Sequence, residues 1–576
     1  MAFPNFKFVL LFALFTSLLI RVLILIPVSY WGSDELLYLD AASEIWSGNF
    51  QSVYLSEPIY AYLISPAFSS TEYYFEYLKI INLLIFSLGL LIFYFGLRSR
   101  LDSTSSLLGI VLVFIMGQFS ILGHAMTQPL LFLVVAAIWS CSAIMLFVTS
   151  LRAKRFSALI FGAVASIGFF SSPKLVPLLF FAFFMLSIAA VRYKEQAFLG
   201  KQFQILGLLT LTFLACFVLI YTLLPRATTS VYSHIGARFL PLAIGNMIDQ
   251  PKRFFDLIVG SFSVSWLLMI VPMTIAAIVI IRSLREKSVD WIFALLTLGM
   301  PFISLSVSLV FQFGYPAADI KSTLFYRYYF FSSVPLVFFL VYGFRLTFSQ
   351  RERTILSTII VLVLIAGYYS QMSGLSSINM FGGIENSQIW ADTYPKLYVL
   401  LIVIVFFCAA LFYKGKSMIG LSILCMAMIF NGVVSSVQMG REIQLKLDDC
   451  ALLKRMIVDT SYPVVVVAKE RYFAEHLAVA PPLSKHRMWG DAVGKVYSEL
   501  MARSPLANIG DVVGKQYGEF LESYAPVSMR TSFLDPTKPF HLLLKGVSKS
   551  PIVNSNKVEM IAHVKDCLML SFKPLD

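Results

Sequence analysis

The segment Trp31-Gly-Ser-Asp34-Glu35-Leu-Leu-Tyr38-Leu-Asp40 gathers three carboxylates directly after a hydrophobic run, in a chain where only 13% of residues are charged. Ionisable groups are expensive to keep at the edge of hydrocarbon, so this concentration points to chemistry as well as to packing. Asp34 and Glu35 could take a proton from a hydroxyl, share a cation with Glu57, or simply complement the dipole of a helix that starts there. Glu57-Pro58-Ile-Tyr60 places the further carboxylate later in the same stretch. Positive groups complete the inventory. Lys174, Lys321 and Arg327 each stand near the end of a later apolar run. They could hold a phosphate, Lys as a compact charge and Arg through its planar fork, or they could snorkel to the interface. Arg21 lies well inside the first apolar run, where a charge costs at least about 2.5–3.5 kcal/mol on insertion scales, so it requires a polar cavity or a carboxylate.

These residues need elements to position them. Ser33 is a suitable N-cap, Tyr38, Ala41 or Ala42, and Ile45 recur at helical spacing, and Gly48 follows as a C-cap. The pattern predicts an amphipathic helix over 34–47, lying along the membrane surface with Asp34 and Glu35 in its first turn.

Around that helix the chain is a membrane protein. Hydrophobic residues make up 58% of 576 positions and the mean hydropathy is +0.79, which excludes a soluble protein. A hydrocarbon core about 30 Å thick needs roughly 20 apolar residues per helix. Such runs lie near 8–28, 78–97, 106–122, 128–150, 156–172, 175–191, 203–224, 262–281, 291–312, 329–345, 355–372, 396–413 and 418–437, which predicts about 13 transmembrane helices. The first has no small-x-small cleavage site after it and reads as a retained anchor.

Charge sets the expected orientation. Lys7 and the alternate connections carry 17 basic residues, among them Arg98, Arg100, Arg192, Arg282, Arg345, Arg353, Lys414 and Lys416. Between Trp31 and Tyr77 there are none, while that stretch holds seven acidic residues. The positive-inside rule therefore places the N-terminus in the cytoplasm and loop 29–77 outside. An odd number of spans puts the tail outside too. The expected division is a transmembrane domain over 1–439 and an external soluble α/β domain over 440–576, with strand-like runs at Pro463–Ala468, Phe540–Leu544 and Leu568–Phe572. Cys450 and Cys567 either close that domain with a disulfide or remain buried thiols.

Other classes find little support. There is no His-x-x-x-His, Cys-x-x-Cys or external Asp-x-Asp arrangement, so no cofactor is firmly implied and a divalent cation has only the acidic loop to hold it. Nucleotide-cradling Gly-rich loops and basic patches interleaved with aromatics are absent, which argues against nucleotide and nucleic-acid partners. No internal repeat stands out, and this weakens a transporter reading.

The spacing of Arg21, Pro27, Gly32, Asp34-Glu35, Tyr38, Ala42, Ile45, Gly48 and Glu57-Pro58-Ile-Tyr60 resembles the first external loop of GT-C membrane glycosyltransferases. Among these the chain is similar to the bacterial polyprenyl-phosphate-sugar enzymes: aminoarabinose lipid A transferases, rhizobial lipopolysaccharide-core transferases and, more distantly, protein O-mannosyltransferases. Ala125-Met-Thr-Gln128-Pro resembles a family segment that usually carries an acid before the proline; Gln128 stands there instead. Ser171-Ser-Pro-Lys174-Leu-Val-Pro177 resembles a Thr-Lys-Gly-Pro turn, with the Lys shifted, and Tyr326-Arg327-Tyr328-Tyr329 resembles an Arg-Tyr motif.

The resemblance implies transfer of a monosaccharide, with inversion, from a polyprenyl-phosphate donor to a lipid-, glycan- or protein-linked hydroxyl on the outer face of a bacterial cytoplasmic membrane. Asp34 is then the candidate base and Glu35 its neighbour that orients the acceptor or raises its pKa. Lys174, Arg327, Lys321 and Arg21 are candidate phosphate ligands, and Tyr38, Glu57, Gln128 and Tyr326 would line the acceptor cavity. A transporter or flippase for a lipid-linked saccharide, and a non-catalytic envelope-assembly protein, remain as readings from other classes.

Overall fold

The computed structural model describes residues 38, 41–42, 45–48, 58–69, 74–115, 127–172, 175–193, 201–223, 240–260, 269–314, 330–372 and 395–427, and four strands between 464 and 572. Within them the chain is a multi-pass helical bundle. Its helices are α1 (Pro58–Ile64), α2 (Tyr74–Arg98), α3 (Ser103–Ile115), α4 (Gln128–Phe147), α5 (Leu151–Ser171), α6 (Val176–Arg192), α7 (Gln202–Leu223), α8 (240–249) and α9 (Pro251–Gly260). Then come α10 (Ile270–Glu286), α11 (Asp290–Phe313), α12 (Phe330–Ser333), α13 (Val337–Tyr342), α14 (Gln350–Met372), α15 (Pro395–Tyr413) and α16 (Ser417–Ala427). Each expected apolar run after the first overlaps described helix, with parts of the runs at 106–122, 262–281 and 418–437 lying outside the described residues. Five of these, Tyr77–Arg98, Gln128–Phe147, Leu151–Ser171, Gln202–Leu223 and Asp290–Val310, are long and apolar enough to cross a membrane.

Local chemistry explains where the helices begin and end. Proline opens α1, α9 and α15 and occupies the first turn of α4 and α6, where a missing N–H costs nothing. Ser150 Oγ accepts from Ala153 N at the start of α5. Ser349 and Glu352 form a capping box on α14: Ser349 N donates to the Glu352 carboxylate at 2.7 Å, and Glu352 N donates to Ser349 Oγ at 3.4 Å. At the end of α15 the Gly415 amide reaches Phe412 O and the Lys416 amide reaches Leu411 O, with Gly415 at φ +78. That is a Schellman turn, which glycine enters without a Cβ clash. Lys287 adopts φ 54 in the equivalent turn after α10.

Residues 262–268 of the expected run at 262–281 lie outside the described residues, and α10 spans Ile270–Glu286, past the expected end of that run. Arg282 and Arg285 extend it past the apolar stretch because their charged heads have polar company there, described below.

Helices embedded in lipid gain little from hydrophobicity against one another, so close packing and polar contacts must hold them. α2 and α4 run side by side with glycine at the contacts: a Cβ on Gly89 would lie 2.7 Å from the Phe132 ring, and one on Gly96 would collide with Ser140. α5 and α7 approach in the same way, since a Cβ on Gly162 would fall 2.6 Å from Leu209 O. Ser166 Oγ spans that interface to Phe213 O at 2.8 Å. Trp139 fills the centre, fully buried, with Phe93, Phe293 and Phe338 rings at 4.8, 5.3 and 5.8 Å. Its indole N–H donates to Thr297 Oγ1 at 2.9 Å, so the one polar atom of the side chain is satisfied.

Charged helix termini collect at one end of the bundle. Arg100 after α2 pairs with Asp290 of α11 and lies over the Phe147 ring of α4; Arg345 after α13 pairs with Asp102, the cap of α3. Arg282 of α10 grips Glu352 of α14 through Nε at 2.6 Å and Nη2 at 2.5 Å. Arg192 of α6 lies over Trp291, whose N–H donates to Tyr193 Oη. The connections expected on one side of the membrane thus share one face.

In the tail, strands β1 (Val464–Ala468), β2 (Phe540–Lys545), β3 (Val558–Val564) and β4 (Cys567–Phe572) form one sheet in the order β1-β2-β4-β3. β1 and β2 are parallel, which demands a long crossover between them; β2 with β4 and β3 with β4 are antiparallel, with a register shift between Met560 and Ala562. The three expected strand runs are strands. The helices that would make this region α/β, and the Cys450–Cys567 pairing, lie outside the described residues.

Candidate active site

The end of the bundle opposite the paired arginines carries the candidate chemistry. Tyr38, Ala41, Ala42, Ile45 and Trp46 are helical; Ala41, Ala42 and Ile45 are buried while Trp46 is exposed, and Gly48 at φ +80 donates its amide to Ile45 O. The amphipathic phase and the glycine stop expected for the first loop are present at these positions. Tyr38 meets the Tyr60 ring of α1 edge to face, with centroids 5.4 Å apart and planes at 89°. Tyr60 is fully buried and donates its hydroxyl to Asn82 Oδ1 of α2 at 2.9 Å. The loop helix, α1 and α2 are therefore tied by one aromatic and polar chain.

Two more elements reach this end. α1 packs on α5, whose last turn closes with Ser172 N on Gly168 O and Leu175 N on Ser172 O. Ser172 and Leu175 are both fully buried. α4 begins here with Gln128, and α12 packs against α4, with Phe331, Ser332 and Ser333 buried. A Cβ on Gly168 would touch Val134.

Gln128 itself is unusual. Its Oε1 is buried and has no hydrogen-bond partner among the described residues. A buried carbonyl oxygen left unbonded costs about 1–3 kcal/mol, so it stands ready for a donor.

Sequence reasoning missed Lys79 and Asn82. Both sit one helical turn apart on α2 and are buried, Lys79 at 8% exposure. They lie inside a run read only for its hydropathy; polar residues within an apolar helix were the signal that could have found them. An ammonium withdrawn from water requires anionic or strongly accepting neighbours. Of the expected site residues, Tyr38 and Gln128 fall at this end of the bundle. Arg21, Asp34, Glu35, Glu57, Lys174, Lys321, Tyr326 and Arg327 lie outside the described residues. The segments flanking several of them, namely Tyr38, Ser172 with Leu175, and α12, converge here. No cluster of three His, Cys, Asp or Glu side chains occurs among the described residues.

No known protein-family profile matches the chain, and no curated protein matches it in sequence. Solved structures do. The chain is similar to ArnT from Cupriavidus metallidurans bound to undecaprenyl phosphate, with a TM-score of 0.52 at 12% identity, covering 99% of this chain and 98% of that one. The apo state of the same ArnT gives 0.52 at 12% identity over 98% of each chain. The oligosaccharyltransferase of Archaeoglobus fulgidus, tethered to an acceptor peptide, gives 0.39 at 13% identity over 94% of this chain and 69% of that one. What the chain shares with ArnT from end to end is a membrane fold, at a sequence distance where only architecture is common.

Proposed function

We propose that the chain is an inverting glycosyltransferase of the bacterial cytoplasmic membrane. It takes a monosaccharide from a polyprenyl-phosphate donor and transfers it to an envelope acceptor hydroxyl, on lipid A or core, another envelope glycan, or protein. The observation that carries this reading is the fold agreement along nearly the whole chain with ArnT, a protein solved with undecaprenyl phosphate bound. Its N-terminus is cytoplasmic, and loop 29–77 and the domain over 440–576 are external, as the basic connections require.

The chemistry needs few groups. The anomeric carbon already bears a phosphate, a weak base and good leaving group, so a general acid contributes little. Asp34 takes the proton from the acceptor hydroxyl as its oxygen forms the bond to C1. The C1–O bond to phosphate breaks on the opposite face, and polyprenyl phosphate departs with the electron pair. Glu35 orients the acceptor and raises the basicity of Asp34 by like-charge proximity. Lys79, Lys174 and Arg327 supply positive charge to the departing phosphate, with Lys321 and Arg21 as further candidates. Tyr38, Glu57 and Tyr326 line the acceptor side, and Gln128 offers its unbonded Oε1 to a substrate hydroxyl.

Replacing Asp34 with Asn preserves shape and removes the base. The expected result is a loss of at least about 100-fold in sugar transfer by membranes given the lipid donor, with expression and donor binding retained. Near-normal transfer would remove Asp34 from the role, and lipid-sugar translocation without any transfer product would favour a flippase.

A further inference from the structure

The basic end of the bundle holds a second feature that sugar transfer does not use. The Arg282–Glu352 pair is self-contained, and its neighbours are not. Arg351 and Arg353 of α14 and Lys414 and Lys416, which flank the Schellman glycine between α15 and α16, make no ion pair with any described residue. One of the four, Arg353, touches the turn itself: its guanidinium lies so close over Gly415 that a Cβ there would collide with Nη1. Nη2 of Arg353 donates to Gln350 Oε1 at 2.8 Å, while its Nε is buried without a hydrogen-bond partner among the described residues. Lys414 and Lys416, which flank Gly415 in the chain, are both exposed.

The cluster sits directly beside exposed apolar surface. Tyr413, Met418 and Ile419, which bracket the turn, are each half or more exposed, as are Phe406 and Phe407 further along α15. Large apolar side chains left bare on spanning helices are covered by acyl chains. A basic cluster at the rim of that surface is complementary to a molecule with a negative head and hydrocarbon tails.

We propose that the turn Lys414-Gly415-Lys416, with Arg353 seated on its glycine, is a binding site for the phosphate headgroup of an acidic phospholipid. The phosphate lies between the two lysines and accepts from the free donors of the Arg353 guanidinium. The acyl chains run down the exposed faces of α15 and α16. Glycine is required at 415 both for its φ of +78 and to leave room for the guanidinium. This site is independent of the sugar-transfer reading and faces the opposite leaflet.

The test uses the full chain in detergent micelles and measures its thermal midpoint while phosphatidylglycerol, phosphatidylcholine or inorganic phosphate is added. Phosphatidylglycerol is expected to raise the midpoint saturably and phosphatidylcholine and inorganic phosphate to leave it unchanged. The triple variant Arg353→Gln, Lys414→Gln, Lys416→Gln is expected to need about tenfold or more phosphatidylglycerol for the same shift. A charge-matched control, Arg152→Gln, Arg155→Gln, Lys201→Gln, alters exposed basic residues elsewhere and is expected to keep the wild-type dependence. The lipid dependence of each variant is compared with its own lipid-free midpoint, so a general loss of stability does not mimic the effect. Equal losses in both triple variants would reduce the effect to diffuse surface charge and overturn the site. A shift produced by inorganic phosphate, or an unchanged dependence in the first variant, would overturn it as well.

Discussion

A carboxamide inside a membrane helix has to find its partners within the protein, because lipid offers none. Asn82 does so by accepting from the buried Tyr60 hydroxyl, and that bond joins α1 to α2 beneath the Tyr38 ring. Asn82→Leu removes this acceptor of the Tyr60 hydroxyl, and unfolding in detergent should show a loss of about 1 kcal/mol. Adding Tyr60→Phe removes the donor as well, so the double variant should lose less than the sum of the two single losses; strictly additive losses would show that the pair is not coupled. At this scale the sequence was only partly legible. The phase of Tyr38, Ala41, Ala42 and Ile45 and the stop at Gly48 could be read from spacing, because burial of one face and a positive φ leave marks in residue type. Lys79 and Asn82 could not be, since an averaged apolar run hides single polar residues whose partners are distant in sequence. Gln128 was legible as a departure from an acidic pattern, but its unbonded oxygen depends on packing that no local pattern encodes.

Elements were far easier to read than their junctions. Apolar runs of membrane length translate directly into helices: α2, α4, α5, α6 and α7 begin and end within about five residues of their expected limits, and the expected end of α3 lies outside the described residues. The exception, α10, ends at Glu286, beyond its apolar stretch, since Arg282 is held by Glu352 at the head of α14. That pair carries its own prediction. The hydrogen bond from Arg282 lowers the Glu352 carboxyl from 4.5 to about 2, with Ser349 adding bonds in the same direction. A carboxyl whose folded pKa lies below its unfolded one contributes stability in full above the unfolded value, and that contribution is lost as pH falls through the folded one. The wild-type midpoint should therefore decline between about pH 4.5 and 2, and Glu352→Gln should lie lower at neutral pH and decline less over that window. Parallel pH profiles for the two proteins would show that the pair contributes nothing to stability.

For the whole molecule, hydropathy fixed the class and the basic connections grouped the helix ends, as the pairing of Arg100, Arg282 and Arg345 at one face bears out. Which helices touch was not readable, because glycine contacts such as Gly96 with Ser140 and Gly162 with Leu209 join segments that are about 45 residues apart. The architecture that results brings Tyr38, α1, the start of α4, the end of α5 and α12 to a common end, away from the arginine pairs. The account's central claim is that this end moves a sugar from lipid phosphate to a hydroxyl. Purified full chain, given a polyprenyl-phosphate monosaccharide labelled in the sugar together with an envelope glycolipid extract, tests it most directly. The account predicts label in an acceptor with inverted anomeric configuration and one polyprenyl phosphate released per sugar transferred. Donor recovered intact across the range of envelope acceptors, or a product of retained configuration, would contradict it.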